Sequence, residues 1–333
     1  PILAQAWTTQ GNLLYDKGSL NPALTAFQTA ESWYGHLSNA PERSSGLIRS
    51  QINQALALQS LGFFRSSLDH LEKVHQALLQ EPDPTIAAVG LRTLGQTLAA
   101  IGQSKEVPEI LSQGLRQAEA SGDPTIISGL HLSLATVFHQ QWKGLEKQDP
   151  AAGQAYVQAI QHYQLAIGAA SRDSDQAQAL VNLFRLKVET QQRDPTLTQR
   201  ILSLLPTLSP SRGNLEAEIN FVNSLLLQTQ GSMEAQQVET ETIAPLLVKT
   251  LASARSIGDQ RSESYALGTL GHLYELQGQG VAAQRLTEQA LDLSQRNNAA
   301  DIAYQWQWQL GRIFKARQQL KPALDSYMGA IDT

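Results

Sequence analysis

The stretch Asp83-Pro84-Thr85-Ile86-Ala87-Ala88-Val89-Gly90-Leu91-Arg92-Thr93-Leu94-Gly95-Gln96-Thr97-Leu98-Ala99-Ala100-Ile101-Gly102 decides how the whole chain is read. It opens on Asp-Pro, a helix-start signal. The Asp carboxylate accepts a hydrogen bond from an orphan N–H, and proline at the first helical position has no N–H to leave unpaired. In the middle sits Gly95, small enough to let a second helix come close, with apolar Leu98 three residues on. It closes on Gly102, where a helix end often requires a positive φ. The stretch therefore predicts one helix of a tightly packed pair.

Working outward, the same signals return. Asp83-Pro84-Thr85-Ile86 recurs as Asp123-Pro124-Thr125-Ile126 and, in variant form, as Asp194-Pro195-Thr196-Leu197; Asn21-Pro22 and Asp149-Pro150 read as further helix starts. Thr93-Leu94-Gly95 recurs as Thr269-Leu270-Gly271, then as Gln309-Leu310-Gly311. The small residue falls at Gly11, Ala55, Gly95, Ala135, Gly271 and Gly311, followed three later by Leu14, Leu58, Leu98, Phe138, Tyr274 and Phe314. Turn glycines stand at Gly18, Gly62, Gly102 and Gly278. A second stripe at i, i+4, i+7 follows in Ala23-Phe27-Ala30, Ala159-Tyr163-Ala166, Ala283-Thr287-Ala290 and Ala323-Tyr327-Ala330, the spacing of one helix face. The gap between Ala135 and Gly271 holds two degenerate repeats, their first helices near 177–191 and 215–230. No segment alternates as a strand would. The expected fold is all-α: a right-handed superhelical solenoid of about eight helix-turn-helix repeats in a single domain over 1–333. The repeats lie near 4–38, 46–80, 85–121, 125–171, 174–208, 213–257, 261–297 and 300–333.

Composition agrees. Apolar residues are 42% and aromatics 6%, a balance of Leu and small residues suited to close helix packing. Twenty-five Lys and Arg against 30 Asp and Glu leave a net charge of −5, which argues against nucleic acid as a partner. No run is apolar enough to insert in a membrane; the nearest, 86–101, is broken by Arg92, Thr93, Gln96 and Thr97. Cysteine is absent, so disulfides, thiolate metal sites and cysteine nucleophiles are excluded. The compartment is not legible. The chain starts at Pro1 with no Met or leader, so any targeting segment is expected to lie outside it. No polar capping helix follows Asp332, so the natural array is expected to run past Thr333.

Trp7, Gly11, Leu14, Ala23, Phe27 and Ala30, and again Leu270, Gly271, Tyr274, Ala283 and Ala290, resemble the tetratricopeptide repeat signature, with a period near 40 rather than the usual 34. The resemblance is strong at both ends and weak from about 170 to 260. Tyr304-Gln305-Trp306-Gln307-Trp308-Gln309-Leu310-Gly311, Gln141-Trp142 and the Asp149-Pro150 insert are similar in texture to the repeat region of cyanobacterial proteins carrying a caspase-like CHAT protease domain. The repeat resemblance implies an interaction scaffold, the recognition region of a larger protein; the CHAT resemblance implies a protease lying outside this chain. Some family members grip a partner's terminal carboxylate. Asn12 and Asn53 match two clamp asparagines, but Thr8, Val89 and Thr93 stand where the cations belong, which argues against that clamp.

Other motifs reduce to structure. Gly278-Gln279-Gly280-Val281-Ala282-Ala283 fits a dinucleotide fingerprint, but it follows a helix instead of a strand and reads as a turn. The seven histidines, His36, His70, His75, His131, His139, His162 and His272, lack metal-ligand spacing. Glu216/Glu218 and Glu239/Glu241, two residues apart on helices, point apart and read as solvated. No Gly-x-Ser-x-Gly elbow exists, and no catalysis or cofactor is expected. Gln141–Asp149 belongs to an insertion of about 12 residues in the fourth repeat, a loop on which Trp142 is expected to be pinned against the neighbouring helix.

The expected partner is therefore a protein or peptide segment, bound in a concave groove lined by the first helices. Their groove faces should present Thr8, Asn12 and Tyr15; Ile52, Leu56 and Gln59; Arg92 and Gln96; Leu132, Thr136 and His139; His272 and Glu275; and Trp308, Arg312 and Lys315. The last three share one face at i, i+4, i+7 and read either as a binding hot spot or as Trp308 packing on its neighbour. The alternative function is a regulatory module that senses a ligand or peptide and controls an attached effector.

Overall fold

The computed structural model describes residues 1–103, 105–229, 239–297 and 299–332. Gln230, expected to end a first helix, and Thr333 lie outside them, as does the side chain of Glu239 from the Glu239/Glu241 pair. The described residues form helices and turns, with no strand among them. In chain order the helices are α1 (Ile2–Asp16), α2 (Leu20–Gly35), α3 (Ala40–Ser60), α4 (Phe64–Leu78), α5 (Pro84–Ala100), α6 (Val107–Ser121), α7 (Pro124–Gly144), α8 (Pro150–Ala169) and α9 (Asp173–Glu189). They continue as α10 (Pro195–Leu204), α11 (Arg212–Thr229), α12 (Ala244–Ile257), α13 (Gln260–Leu276), α14 (Gly280–Arg296), α15 (Ala300–Ala316) and α16 (Leu320–Asp332). This is the expected all-α repeat class. The helices gather into two compact units, Pro1–Leu186 and Lys187–Thr333, divided inside the last turn of α9.

The caps work as their sequence suggests. Asp83 Oδ1 accepts from the Thr85 N–H at 2.9 Å, Asp123 Oδ1 from Thr125 at 2.8 Å, Asp149 Oδ1 from Ala151 at 2.8 Å, and Asp194 Oδ1 from Leu197 at 2.9 Å. Asn21 is the exception. Helix α2 begins at Leu20, with Ser19 as its cap, so Asn21 lies inside the first turn and caps nothing. Gly18, at φ 78°, turns the chain sharply enough for Leu20 to be buried at once, and Pro22 is tolerated because first-turn N–H groups lack partners anyway. The insertion of the fourth repeat is mostly helix: α7 has 21 residues and α8 has 20, so only 145–149 connects them. Trp142 is pinned between Tyr156 and His139, ring centroids at 6.0 and 5.9 Å.

Close approach within each hairpin occurs at the small residue. A Cβ on Gly95 would fall 2.6 Å from Leu111 Cδ2, and one on Gly271 2.5 Å from Thr287 Oγ1. Gly11 faces the Phe27 ring and Gly311 the Tyr327 ring in the same way. In all four pairs the partner lies 16 residues on (11 to 27, 95 to 111, 271 to 287, 311 to 327). Ala55 and Ala135 are wholly buried. Between repeats, Gly268 receives the Trp306 ring, whose Nε1 donates to Ser264 Oγ at 3.0 Å. Gln309 Nε2 donates to the Gly268 carbonyl at 2.9 Å and to Thr287 Oγ1 at 2.7 Å. The Trp-Gln texture of α15 is thus partly seam packing.

One buried carboxyl stands apart. Glu218 is 4% exposed, and burial pushes its pKa up despite its bond to Thr250 and the charge of Lys249. Thr250 Oγ1 lies 2.7 Å from Glu218 Oε2 and 2.9 Å from the Leu246 carbonyl. The Thr250 hydroxyl is thus shared between two acceptors, the Glu218 carboxyl and the carbonyl one turn back on its own helix.

Two outcomes follow from this packing. Gly271→Leu should cost about 3 kcal/mol in urea unfolding, because it overpacks the contact with Thr287 and displaces Gln309; Gly153→Leu, where nothing lies within 4 Å, should cost nothing. A carboxyl raised in the fold contributes stability below its ordinary pKa and loses it as pH rises through the folded value. Glu218→Gln should therefore be more stable than the parent at pH 8, with the difference closing near pH 4.

Candidate functional site

In the first unit, α1, α3 and α5 present their outer faces to a shared cleft of about 500 Å³. Helix α1 contributes Gln5, Thr8, Thr9 and Asn12; α3 contributes Arg49, Ile52 and Asn53; α5 contributes Thr85, Ile86 and Val89. These helices line one cleft because their inner faces are committed elsewhere: Gly11 to Phe27, Ala55 to the Ser67 hydroxyl, which bonds its carbonyl at 2.9 Å, and Gly95 to Leu111. Asn12 is exposed and Asn53 half-buried. Among the described residues neither amide has a hydrogen-bond partner, so both offer a donor and an acceptor to the cleft. Thr8 is spent on its own helix, donating to the Ala4 carbonyl at 3.0 Å.

Arg49 is the residue that sequence reasoning missed. It supplies a cation to this cleft, loosely paired with Asp83 at 3.9 Å and half-exposed. The cation positions of the carboxylate clamp fall at Thr8, Val89 and Thr93; residue 49 lies on another helix and becomes a neighbour of Asn12 only through the fold. Its signal was spacing, since it stands one turn before Asn53 on the same helix.

The other expected groove residues divide. Tyr15 is half-buried, its hydroxyl 2.8 Å from Ser60 Oγ. Gln96 Nε2 donates to Ser133 Oγ at 2.9 Å, stitching α5 to α7. Arg92 lies one turn along α5 from Val89 and faces Gly129 of α7, whose missing side chain leaves room for its Nη1. His139 is not on a groove. It is 1% exposed, its Nδ1 3.1 Å from the Tyr163 hydroxyl, because the lengthened α7 and α8 wrap Trp142 and Tyr163 around it.

In the second unit, His272, Glu275 and Arg312 meet. Arg312 Nε and Nη2 donate to the two Glu275 oxygens at 2.9 and 2.8 Å, and His272 Nδ1 lies 3.1 Å from Oε2. Burial pushes Glu275 up, but bonds from His272 and Arg312 outweigh it and hold the carboxyl below its ordinary value. Trp308 is half-exposed and tilts against Tyr327 of its own hairpin at 4.8 Å, so it packs on a neighbour and does not stand free beside Arg312; Lys315 is exposed. Among the described residues no cluster of three or more His, Cys, Asp or Glu could hold a metal, and no helix is long and apolar enough to cross a membrane.

No family model matches the chain, and no curated protein does. Solved structures share its fold. The apo form of the quorum sensor NprR from B. thuringiensis superposes with a TM-score of 0.59, covering 99% of this chain and 87% of that one at 12% identity. The Rap conjugation gene regulator of plasmid pLS20, in complex with the Phr* peptide, gives 0.57 over 89% and 75% at 13% identity. A Rap protein complexed with competence and sporulation factor gives 0.52 over 86% and 76% at 14%. At these identities the likeness is one of tetratricopeptide-like helical repeat fold.

A histidine pair, His131 buried and His162 half-buried, joins α7 to α8. His131 and His162 bring their Nδ1 atoms to 3.0 Å, and His162 stacks on Phe138 at 5.6 Å. Burial, then the neighbouring His131, lowers His162 to about 4. A histidine held neutral in the fold loses stability as pH falls from its ordinary value near 6.5 toward the folded one, since only the unfolded chain takes up the proton. Urea titrations should therefore lose about 2 kcal/mol between pH 7 and pH 4, after allowance for solvent screening of a half-buried ring. His162→Phe, which keeps the stack on Phe138, should flatten that slope.

Proposed function

We propose that this chain is a non-catalytic interaction module that holds an extended peptide segment in the concave groove of its first unit. The observation that carries this reading is the pair of unpartnered amides, Asn12 and Asn53, facing one cleft from adjacent repeats. An extended peptide carries a backbone N–H and C=O at every residue, and an asparagine amide bonds both. Arg49, Ile52 and Val89 add a charge and apolar floor to the cleft; Tyr15 on α1 and Arg92 and Gln96 on α5 lie further along the same helices, and the proposal extends the groove to them. The net charge of −5 favours a polypeptide over a nucleic acid as occupant.

The fold neighbours support a regulatory form of this reading. The Rap conjugation gene regulator of pLS20 was solved with the Phr* peptide, another Rap protein with competence and sporulation factor, and NprR is a quorum sensor. A bound peptide would then act as a signal to an attached effector. The resemblance of Tyr304–Gly311 to CHAT-associated repeats supports a caspase-like effector outside this chain. The His272–Glu275–Arg312 group is proposed as a secondary contact surface, its charges already satisfied internally.

The test is selection from a displayed library of random nonapeptides, followed by calorimetric titration of the winners. Wild-type protein should select extended peptides. The double variant Asn12→Ala/Asn53→Ala should bind them about 30-fold more weakly, two lost hydrogen bonds at about 1 kcal/mol each, with an unchanged melting temperature. Equal affinity in the variant, or an empty selection, would overturn the reading.

A further inference from the structure

Arg92 is a guanidinium with nothing to hold. Its Nε is fully buried and has no hydrogen-bond partner. Among the described residues its side chain makes no ion pair. Among the described residues, Asp175 is the carboxylate whose charge reaches it. Asp175 is already committed, since Arg172 Nε and Nη2 grip its two oxygens at 2.9 and 2.8 Å. Tyr15, the other acidic group acting on Arg92, spends its hydroxyl on Ser60. Burial pushes the guanidinium down from its ordinary value, and the charge of Arg172 pushes the same way.

The repeat architecture does not require a cation here. Arg92 stands three residues before the small residue Gly95. The equivalent places before Ala55 and Ala135 are Ile52, which is buried, and Leu132, which is half-buried. An apolar side chain fills this seam position on both sides. In the third repeat a charge occupies it instead, and Gly129 opposite leaves the space that its Nη1 uses. The residue as a whole is half-buried, but its Nε is fully buried, and an unsatisfied buried donor on a charged group costs stability and calls for an explanation.

We infer that Arg92 is the anchor for a carboxylate of the segment that occupies the groove, an inference that rests on the peptide-groove reading above. The guanidinium fork suits a carboxylate, with two parallel N–H···O bonds. A phosphate is a poorer fit beside Arg92, because its second negative charge would meet Asp175. The carboxylate is an Asp or Glu side chain or the peptide's own C-terminus.

Three measurements, on the wild type and on Arg92→Met, test this. The free variant should melt above the wild type, because methionine keeps the packing and removes the unpaired charge; a lower melting temperature would reveal a structural partner and overturn the inference. Sodium acetate, titrated into wild-type protein, should shift the Arg92 Nε–Hε resonance saturably, and a flat response would overturn it. Selected peptides should then be neutralised in turn, by Asp→Asn or Glu→Gln exchange and by C-terminal amidation. One of these changes should weaken wild-type binding roughly 10- to 100-fold and leave binding to Arg92→Met unaffected, and whichever acts identifies the source of the carboxylate. If neither acts while the peptides still bind, the inference falls and the groove reading stands. If no peptide binds at all, the groove reading falls, and the acetate titration and the melt decide the fate of Arg92 alone.

Discussion

The structure depends on one close approach, made again and again: a helix lays a residue without a bulky side chain against the helix that follows it. At Gly11, Gly95, Gly271 and Gly311 there is no space even for a methyl group without movement of the facing side chain. Helices this close bring backbone carbonyls into the seam, and polar side chains must then satisfy one another in the absence of water. Ser67 donates to the Ala55 carbonyl, Ser264 to the Ala290 carbonyl at 2.7 Å, and Gln309 to Gly268 and Thr287 at once. At these residues the seams are polar with their hydrogen bonds closed internally, which fixes the register of each hairpin on the next more tightly than apolar contact alone would.

The same constraint shapes the candidate site. With the inner faces consumed by close packing, the residues left on the outer faces of α1, α3 and α5 are free to be chosen for something else. Asn12 and Asn53 sit on such faces with idle amides. Their contrast with Gln96, of similar chemistry but spent on Ser133, separates polar residues that build the array from those that face outward. In the second unit the corresponding helices close their polar groups on each other, through Glu275 and Arg312.

Most of the fold was legible in the sequence because its signals are local. An Asp-Pro start or a glycine at a helix end acts over three or four residues, and four of the five proposed Asp/Asn-Pro starts carry the expected cap. Asn21-Pro22 was misread because the preceding turn at Gly18, not the proline, sets where α2 begins. The insertion in the fourth repeat looked like a loop by repeat arithmetic; spacing alone cannot tell a longer connection from two longer helices. The site was less legible. Facing is set by helix period, which placed Asn12 and Gln96 at exposed or half-buried positions, but burial depends on the neighbouring repeat, which sequence spacing does not contain. His139 lies deep for that reason, and Arg49 joined the cleft unannounced.

The constant interval of 16 residues between the small position and its partner bears on how the chain comes to be folded. Closing so short a loop costs little conformational entropy, and topologies built from local contacts fold quickly. Each of the four contacts links helices adjacent in sequence, so none waits for a distant segment. A chain emerging from the ribosome from its N-terminal end could set Gly11 on Phe27 before α3 has been made, and add later hairpins to a surface already formed.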